Sequence, residues 1–177
     1  HIPMLLCPPQ ADAPYGVLKG HVARANPLWQ QDDALVIFQG AQAYITPTWY
    51  AEKQISGAVV PTYNYAVVHA HGKLRCMQEP WELLALLHAL TENFEAPRQQ
   101  AWRIDDAPQD YIQGMLSAIV GIEIPLTKLV GKWKTSRDHS VQDQSTIANG
   151  LREDSTQDGQ GMAQLMENAL FDEEEKK

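Results

Sequence analysis

Cysteine is scarce in this chain of 177 residues, which contains only Cys7 and Cys76. The two cysteines lie far apart in sequence and form no CxxC motif, which argues against a disulfide framework and against a structural zinc site. This usage is typical of a reducing compartment, so we predict a cytoplasmic protein. Long apolar runs are also missing, and none approaches the roughly 20 residues of a membrane-spanning helix.

Positive charge is in short supply as well, because 14 Lys and Arg residues face 22 Asp and Glu residues, for a net charge of -8. This balance argues against general affinity for DNA or for membrane surfaces. The glycine-rich GxGxxG and P-loop patterns are absent, so the sequence supports neither a Rossmann dinucleotide site nor a nucleotide hydrolase. The hydrophobic share of 44% is sufficient for the core of one domain with an appendage.

Against this acidic background, four basic or amide side chains are concentrated within eight residues: Lys19, His21, Arg24 and Asn26. Pro27 disfavours helical geometry at the preceding residue, so we predict a short helical turn that begins near Gly20 and ends before Pro27. On such a turn His21 and Arg24 share a face, and backbone N–H groups add to their positive field. The segment therefore predicts a phosphate site, with a solvated surface turn as an equally weighted alternative.

A second basic cluster follows the last predicted strand and contains Lys132, Trp133 and Lys134. On a strand the two lysines share one face and the tryptophan lies on the other. Lysines bind phosphate, and an indole can cover an aromatic ring. The residues alone favour the alternative, an edge strand that lysines protect from aggregation.

Two aromatic loops resemble each other, at 45–50 (ITPTWY) and at 60–65 (VPTYNY). Each places a proline beside threonine and aromatic side chains, a composition that suits a flat, partly polar ring. Core aromatics that close a barrel are an equally weighted alternative. His69 and His71 share a strand face, but no third ligand lies nearby in sequence, so we predict no metal site.

The hydrophobic periods predict an α+β protein, a small antiparallel barrel that carries helices. The first strand looks cut short, so we expect the natural protein to extend upstream. The predicted strands are 1–6, a hairpin over 34–46 that turns at 39–42, a hairpin of 63–70 with 73–77, and an edge strand over 122–127 that contains Pro125. The predicted helices are 80–94, 108–120, 139–153 and 160–171.

Seven segments together are similar to one family and occur in its order: 1–3, 20–27, 38–40, 44–50, 60–65, 119–123 and 131–134. As a set they resemble the PaiB family of FMN-binding negative transcriptional regulators. The resemblance implies an FMN-binding split β-barrel of the Greek-key type in a bacterial, cytoplasmic homodimer, with FMN in the crevice between the subunits. Family members carry a strand pair before the His-Ile-Pro element that this sequence lacks. Tyr63 stands where Trp is usual, and Arg137-Asp138 stands where Gln-Asn is more frequent.

The resemblance also implies ten FMN-binding residues. We expect the flavin phosphate near His1, Lys19, His21 and Arg24, and we expect Asn26 to stabilise the turn. The polar edge of the flavin ring is expected near Thr48, Thr62 and Asn64. Lys132 and Lys134 are expected to come from the partner subunit. The implied domains are a barrel over 1–137 with inserted helices at 80–120, a helical extension over 138–171, and a charged tail over 172–177.

Three functions stay open on the sequence. The first is an FMN-binding regulator, for which no recognition helix or basic surface supports direct DNA binding. The second is an FMN-dependent oxidoreductase that acts on a small substrate, with no side chain identified as its acid or base. The third is a haem-binding relative of the same barrel, with His21 or His69 as the axial ligand.

Overall fold

The computed structural model describes residues 1–154 and 156–174, with side chains described as far as residue 169. Six strands form one sheet: β1 Leu5–Cys7, β2 Val17–Ala23, β3 Asp33–Ile45, β4 Thr62–Lys73, β5 Arg75–Met77 and β6 Ile119–Lys134. Five α-helices lie in the described part of the chain: α1 Glu52–Ile55, α2 Pro80–Glu95, α3 Gln109–Ser117, α4 Val141–Glu153 and α5 Gln157–Glu174. The fold class is therefore α+β, as the hydrophobic periods predict.

The strand order in the sheet is β1-β2-β6-β4-β3, and β5 pairs with β6 off this path. The pairs β1–β2, β2–β6 and β5–β6 are antiparallel. In the register of β2 and β6, Lys19 lies opposite Glu123 and His21 lies opposite Gly121. Lys19, His21 and Glu123 therefore lie on the same face of the sheet.

The predicted hairpin over 34–46 is wrong, because β3 runs unbroken through the expected turn. Gly40 permits close strand packing here and does not mark a turn. A Cβ atom placed on Gly40 would lie 3.2 Å from the Cβ of Ala66, which is on β4. A glycine inside a strand pattern signals either a turn or a close backbone approach, and here the second applies.

The predicted hairpin of 63–70 with 73–77 is also wrong, because β5 pairs with β6 and not with β4. Pro125 was expected on an edge strand, yet β6 lies between β2 and β4 in the sheet. Proline lacks a backbone donor. The backbone hydrogen bonds of β6 resume at the next residue, because the N–H of Leu126 donates to the carbonyl of Gly16 at 2.9 Å.

The helices follow their predicted periods more closely. Helix α2 begins at Pro80 as predicted, while α3 ends at Ser117 because β6 already begins at Ile119. Ser140 caps α4, with its Oγ accepting a hydrogen bond from the backbone N–H of Asp143 at 3.1 Å. Among the described residues, no helix combines the length and apolar character needed to cross a bilayer.

The chain forms two compact units. The first unit comprises His1–Val36 and Ala70–Leu129, and its core includes Leu18, Val22 and Ile122. The second unit comprises Ile37–His69 and Val130–Lys177. Its core joins Ile45 and Tyr50 to residues of α4 and α5. The domain division predicted from the sequence is a different partition and stays a prediction. Of the predicted tail, 172–174 belong to α5, and 175–177 lie outside the described residues.

Glycine determines one helix contact in the second unit. The indole of Trp49 lies against α4 at Gly150, where an added Cβ would come within 2.5 Å of three ring atoms. Trp49 ends a 3₁₀ helix, Pro47–Trp49, whose N-cap Thr46 accepts a hydrogen bond from the backbone N–H of Thr48. This contact packs the aromatic 45–50 segment against α4.

Candidate functional site

The predicted helical turn around Gly20 is wrong, because residues 17–23 form strand β2 and the chain turns only after Ala23. Backbone pairing with β1 on one side and β6 on the other overrides the local signal from Pro27. His21 and Arg24 therefore do not share a helical face. Five of the ten predicted FMN-binding residues lie in this first unit: His1, Lys19, His21, Arg24 and Asn26.

Lys19 is half-buried and forms an ion pair with Glu123, with 2.8 Å between Nζ and Oε2. The hydrogen bond to Glu123 raises the pKa of Lys19 above its ordinary value, against a smaller lowering by burial. Glu123 also lies 3.8 Å from Arg75, which itself pairs with Asp12 at 3.0 Å. The charge of Lys19 is thus already compensated within the first unit.

Arg24 binds the end of helix α3. Its guanidinium donates to the backbone carbonyls of Ser117 and Ile119, each at 3.0 Å, and to the side chain of Gln78 at 3.1 Å. The bond to Ser117 satisfies a carbonyl group that the C-terminus of α3 leaves without an intrahelical partner, and the bond to Ile119 reaches the first residue of β6. The guanidinium thereby joins α3 to the start of β6.

His21 and Asn26 have local environments that differ from those expected of a phosphate site. The Nδ1 atom of His21 is buried and has no hydrogen-bond partner among the described residues. Burial lowers the pKa of His21, so the ring is neutral at pH 7. Asn26 accepts a hydrogen bond from the backbone N–H of Leu28 at 3.0 Å and caps the 3₁₀ helix Pro27–Gln30. His1 is exposed ahead of β1.

The other five predicted residues lie in the second unit, and the structure brings three of them to one cleft. The cleft has a volume of about 240 Å³. Thr62, Asn64 and Lys134 line it, whereas Thr48 and Lys132 do not. Thr48 is exposed on the 3₁₀ helix of the 45–50 segment, with its hydroxyl 2.9 Å from that of Thr46. Lys132 is exposed on β6.

Lys134 is held at the cleft by two neighbouring residues of β4. Its Nζ donates to the hydroxyl of Thr62 and to the backbone carbonyl of Tyr63, the latter at 2.8 Å. An ammonium group has three donors, so one remains for a ligand. Lys134 has no carboxylate partner within 4.0 Å among the described residues, and its charge is therefore not compensated by an ion pair.

Asn64 and Ser136 form a buried pair beside Lys134. The amide Nδ2 of Asn64 donates to Ser136 Oγ at 2.9 Å, and that hydroxyl lies 3.3 Å from Asn64 Oδ1. Ser136 has φ of 57°, the left-handed region that favours glycine. Strained backbone of this kind costs about 1–3 kcal/mol and often occurs at functional sites. We call Thr62, Asn64, Lys134 and Ser136 the donor group.

The same cleft contains residues that the sequence argument missed. Three carboxylates line it, and we call them the acidic group: Glu52, Asp138 and Asp143. Asp143 is buried and satisfied, since one oxygen accepts the backbone N–H of Glu52 at 3.1 Å and the other accepts Ser140 Oγ at 3.0 Å. Tyr50 and His139 also line the cleft and form an edge-to-face contact, with their ring centroids 5.0 Å apart. In the sequence, the adjacent Asp138 and His139 just before α4 are the signal that could have indicated these cleft residues.

The donor group fits one part of the FMN that the resemblance implies. An ammonium and a hydroxyl are suited to the carbonyl and nitrogen acceptors on the polar edge of a flavin ring. Three carboxylates in the same cleft oppose a phosphate dianion. Clefts that hold a whole cofactor usually measure about 300–1,000 Å³. The cleft of this unit therefore suits the ring edge and not the complete molecule.

Comparison with known proteins agrees with the residue patterns. A family model described as "Putative FMN-binding domain" matches residues 1–128. An uncharacterized protein of Emericella nidulans is 31% identical over 94% of this chain and 79% of its own length. The Bacillus subtilis protein named protease synthase and sporulation protein PAI 2 is 31% identical over 86% of this chain and 73% of its own length. Related sequences therefore extend beyond bacteria.

Among solved structures, the flavocytochrome Anf3 from Azotobacter vinelandii is similar with a TM-score of 0.46 and 13% sequence identity. The match covers 77% of this chain and 57% of that protein, so this chain spans less than two thirds of its length.

Proposed function

This chain belongs to the PaiB family of FMN-binding domains, and from that premise we propose that it acts as a homodimeric FMN-dependent regulator built as a split barrel. FMN is the cofactor of the family, and its flavin ring supplies electron-transfer chemistry when bound. The protein's part is to bind the ring, orient it and control access to it. The observation that carries the proposal is the uncompensated Lys134 ammonium in the donor group.

We place the polar edge of the flavin ring at the donor group. Lys134 would bind it directly with its third donor, beside the hydroxyl of Thr62. Asn64 is fully buried and bonded to Ser136, so it would act by fixing the position of Ser136. Thr48 is exposed and has no bond to a residue of the cleft, so we give it no direct contact with the ring.

The phosphate needs a cation whose charge is still available. The charge of Lys19 is compensated by Glu123, and Arg24 donates to carbonyls at the end of α3 and at the start of β6. Lys132 is exposed, with no ion pair among the residues that the structure describes. We therefore favour Lys132 as the phosphate ligand over the earlier expected set of His1, Lys19, His21 and Arg24. The two assignments make different predictions for mutants.

A second copy of the chain would complete the site. The cleft is too small for a whole FMN molecule, and large apolar side chains on β3 and β6 of this unit are exposed. Ile37 is 55% exposed, Phe38 44%, Val130 45% and Trp133 51%. Apolar strand surface of this kind is typical of an interface between protein chains. Neighbouring strand positions such as Ile37 and Phe38 point to opposite faces of the sheet, so in this proposal the partner subunit covers one of the two faces and supplies further FMN contacts.

The regulatory role would operate without direct DNA contact. The Bacillus subtilis relative is named for protease synthesis and sporulation, whereas this chain carries a net charge of -8 and repels a phosphate backbone. We propose that the regulatory signal is the state of the bound flavin. An FMN-dependent oxidoreductase is the second candidate, because Tyr50 places a phenol at the cleft that could donate a proton to a substrate.

An absorbance spectrum and a sedimentation measurement test this proposal together. Purified protein loaded with FMN should show the flavin bands and sediment as a dimer. A Soret band would favour the haem-binding alternative. A monomer that retains no FMN after reloading would refute the proposal. Turnover of a reduced nicotinamide with a small acceptor would favour the oxidoreductase, and a gel shift that persists at high salt would show that DNA is bound directly.

A further inference from the structure

The cleft of the second unit carries more negative charge than its proposed cofactor contact needs. Its lining holds the three carboxylates of the acidic group and one ammonium, that of Lys134. Both carboxylate oxygens of Asp143 already accept hydrogen bonds, one from the backbone of Glu52 and one from the hydroxyl of Ser140. The carboxylates of Glu52 and Asp138 have neither an ion pair nor a hydrogen bond among the described residues. Two carboxylates are therefore available to a ligand.

Tyr50 adds a phenol to the same cleft. Tyr50 is only 3% exposed, and it lines the cleft beside the acidic group. The hydroxyl has no hydrogen-bond partner among the residues that the structure describes. The phenol oxygen is not among the buried polar atoms without a partner, so it is open to the cleft and can bond to a ligand there. Burial, with Asp138 and Asp143 nearby, raises the pKa of Tyr50, so the phenol stays protonated.

We propose that Tyr50, Glu52 and Asp138 form a binding site for a small organic ammonium ion. An alkylammonium head has three N–H donors, and the site offers it two carboxylates and a phenol oxygen. Charge-assisted bonds to the carboxylates provide most of the affinity. The aromatic rings of Tyr50 and His139, 5.0 Å apart, pack against the apolar part of the ligand.

The proposal deepens the proposed function, on which it rests in one respect. It places a primary amine, as substrate or as regulatory ligand, in the same cleft as the polar edge of the flavin ring. Anionic ligands are disfavoured by the acidic group. The volume of about 240 Å³ restricts the amine to a small molecule, about the size of a single substituted ring.

Calorimetric titration of the full chain with three probes of similar shape tests this inference. We expect benzylamine to bind at neutral pH and low salt, and benzyl alcohol and benzoate to bind at least about tenfold more weakly. The double variant Glu52→Gln/Asp138→Asn should weaken benzylamine binding about tenfold or more, and Tyr50→Phe about fivefold. Asp158→Asn, an exposed carboxylate of the same unit, is the matched control and should change nothing.

Equal affinity for benzylamine and benzoate, no binding of any probe, or an unchanged double variant would overturn the inference. Tyr50→Phe keeps the buried ring, and thermal melting of each variant verifies that it folds. FMN titration followed by flavin fluorescence is run separately on the same proteins. Loss of benzylamine affinity with unchanged FMN affinity supports the ammonium site. Failure of the wild-type chain to bind FMN counts against the proposed function alone, since the amine titration needs no FMN.

Discussion

Lys19 and Glu123 face each other across strands β2 and β6, with 2.8 Å between the ammonium nitrogen and the carboxylate. The pair is half-buried, and it removes from the proposed phosphate site a cation that the sequence pattern had offered. A basic residue in an acidic chain is as well explained by a partner on the next strand as by a bound anion. The predictions below separate cations with internal partners from those that are available to a ligand.

Lys19→Met should lower the free energy of unfolding by about 0.5–1 kcal/mol near pH 7, since one half-buried ion pair is lost. The folded state raises the pKa of Lys19, so the stabilisation is fully present below its ordinary value of 10.5 and disappears as the pH rises through the raised value. Urea denaturation of both proteins between pH 7 and pH 11 checks this. The exposed Lys53→Met is the control, and a difference that grows with pH would contradict the assignment.

Arg24→Ala should destabilise the fold and leave the affinity for FMN nearly unchanged. The substitution leaves the carbonyls of Ser117 and Ile119 without their side-chain donor, which we expect to cost about 1–3 kcal/mol. FMN affinity, measured at a temperature where the variant is folded, should change by less than about twofold if Lys132 holds the phosphate. A stable variant that no longer retains FMN would restore the phosphate site at His21 and Arg24.

Lys134→Met should weaken FMN binding by about tenfold to a hundredfold, because a charge-assisted bond to the ring edge is lost. Quenching of flavin fluorescence on titration provides the measurement. Lys53→Met removes an exposed lysine of the same unit and should leave the FMN affinity unchanged.

Lys132→Met should weaken the binding of FMN and leave the binding of riboflavin, which lacks the phosphate, unchanged. An equal loss for both ligands would argue against a phosphate contact at Lys132.

Ser136→Gly should be more stable than Ser136→Ala by about 1 kcal/mol. Both variants lose the bond to Asn64, but only glycine adopts a φ of 57° without strain. Thermal melting of the two variants compares them directly, and wild type provides the reference. Alanine that melts at the same temperature as glycine would show that the backbone at this position relaxes.

The sequence predicted the four longer helices because their apolar periods are local, but it did not predict the one-turn helix α1. The period over 80–94 predicts α2, and the capping serine before Val141 accompanies α4. The strands were harder, since pairing partners are distant in the chain. Nothing near residues 34–46 indicates that Gly40 packs on Ala66, and nothing near 73–77 shows that this segment pairs with β6.

The candidate site shows the same limit. The family-like motifs named Thr62, Asn64 and Lys134 as FMN-binding residues but assigned Lys134 to the partner subunit. In the structure all three line one cleft of the same chain, although 72 residues separate Thr62 from Lys134. They did not indicate roles for Tyr50, Glu52 or Asp143. Tyr50 packs on residues of α4, and Asp143 of that helix accepts the backbone N–H of Glu52, so distant packing brings the three to the cleft. The partners of Lys19 and Arg24 could not be predicted for a related reason, because Glu123 and Ser117 are about 100 residues away in the sequence.

The contact between Trp49 and Gly150 sets a limit on how this protein can be engineered for heat resistance. A glycine within a helix is an obvious target for replacement by alanine, which usually gains up to about 1 kcal/mol. At position 150 the added methyl group would collide with the indole and push the 45–50 segment off α4, together with the adjoining wall of the cleft. Gly114 in α3 has open space around it, so the same substitution is tolerated there. Helix propensity is thus a safe design rule in one helix of this chain and a harmful one in another.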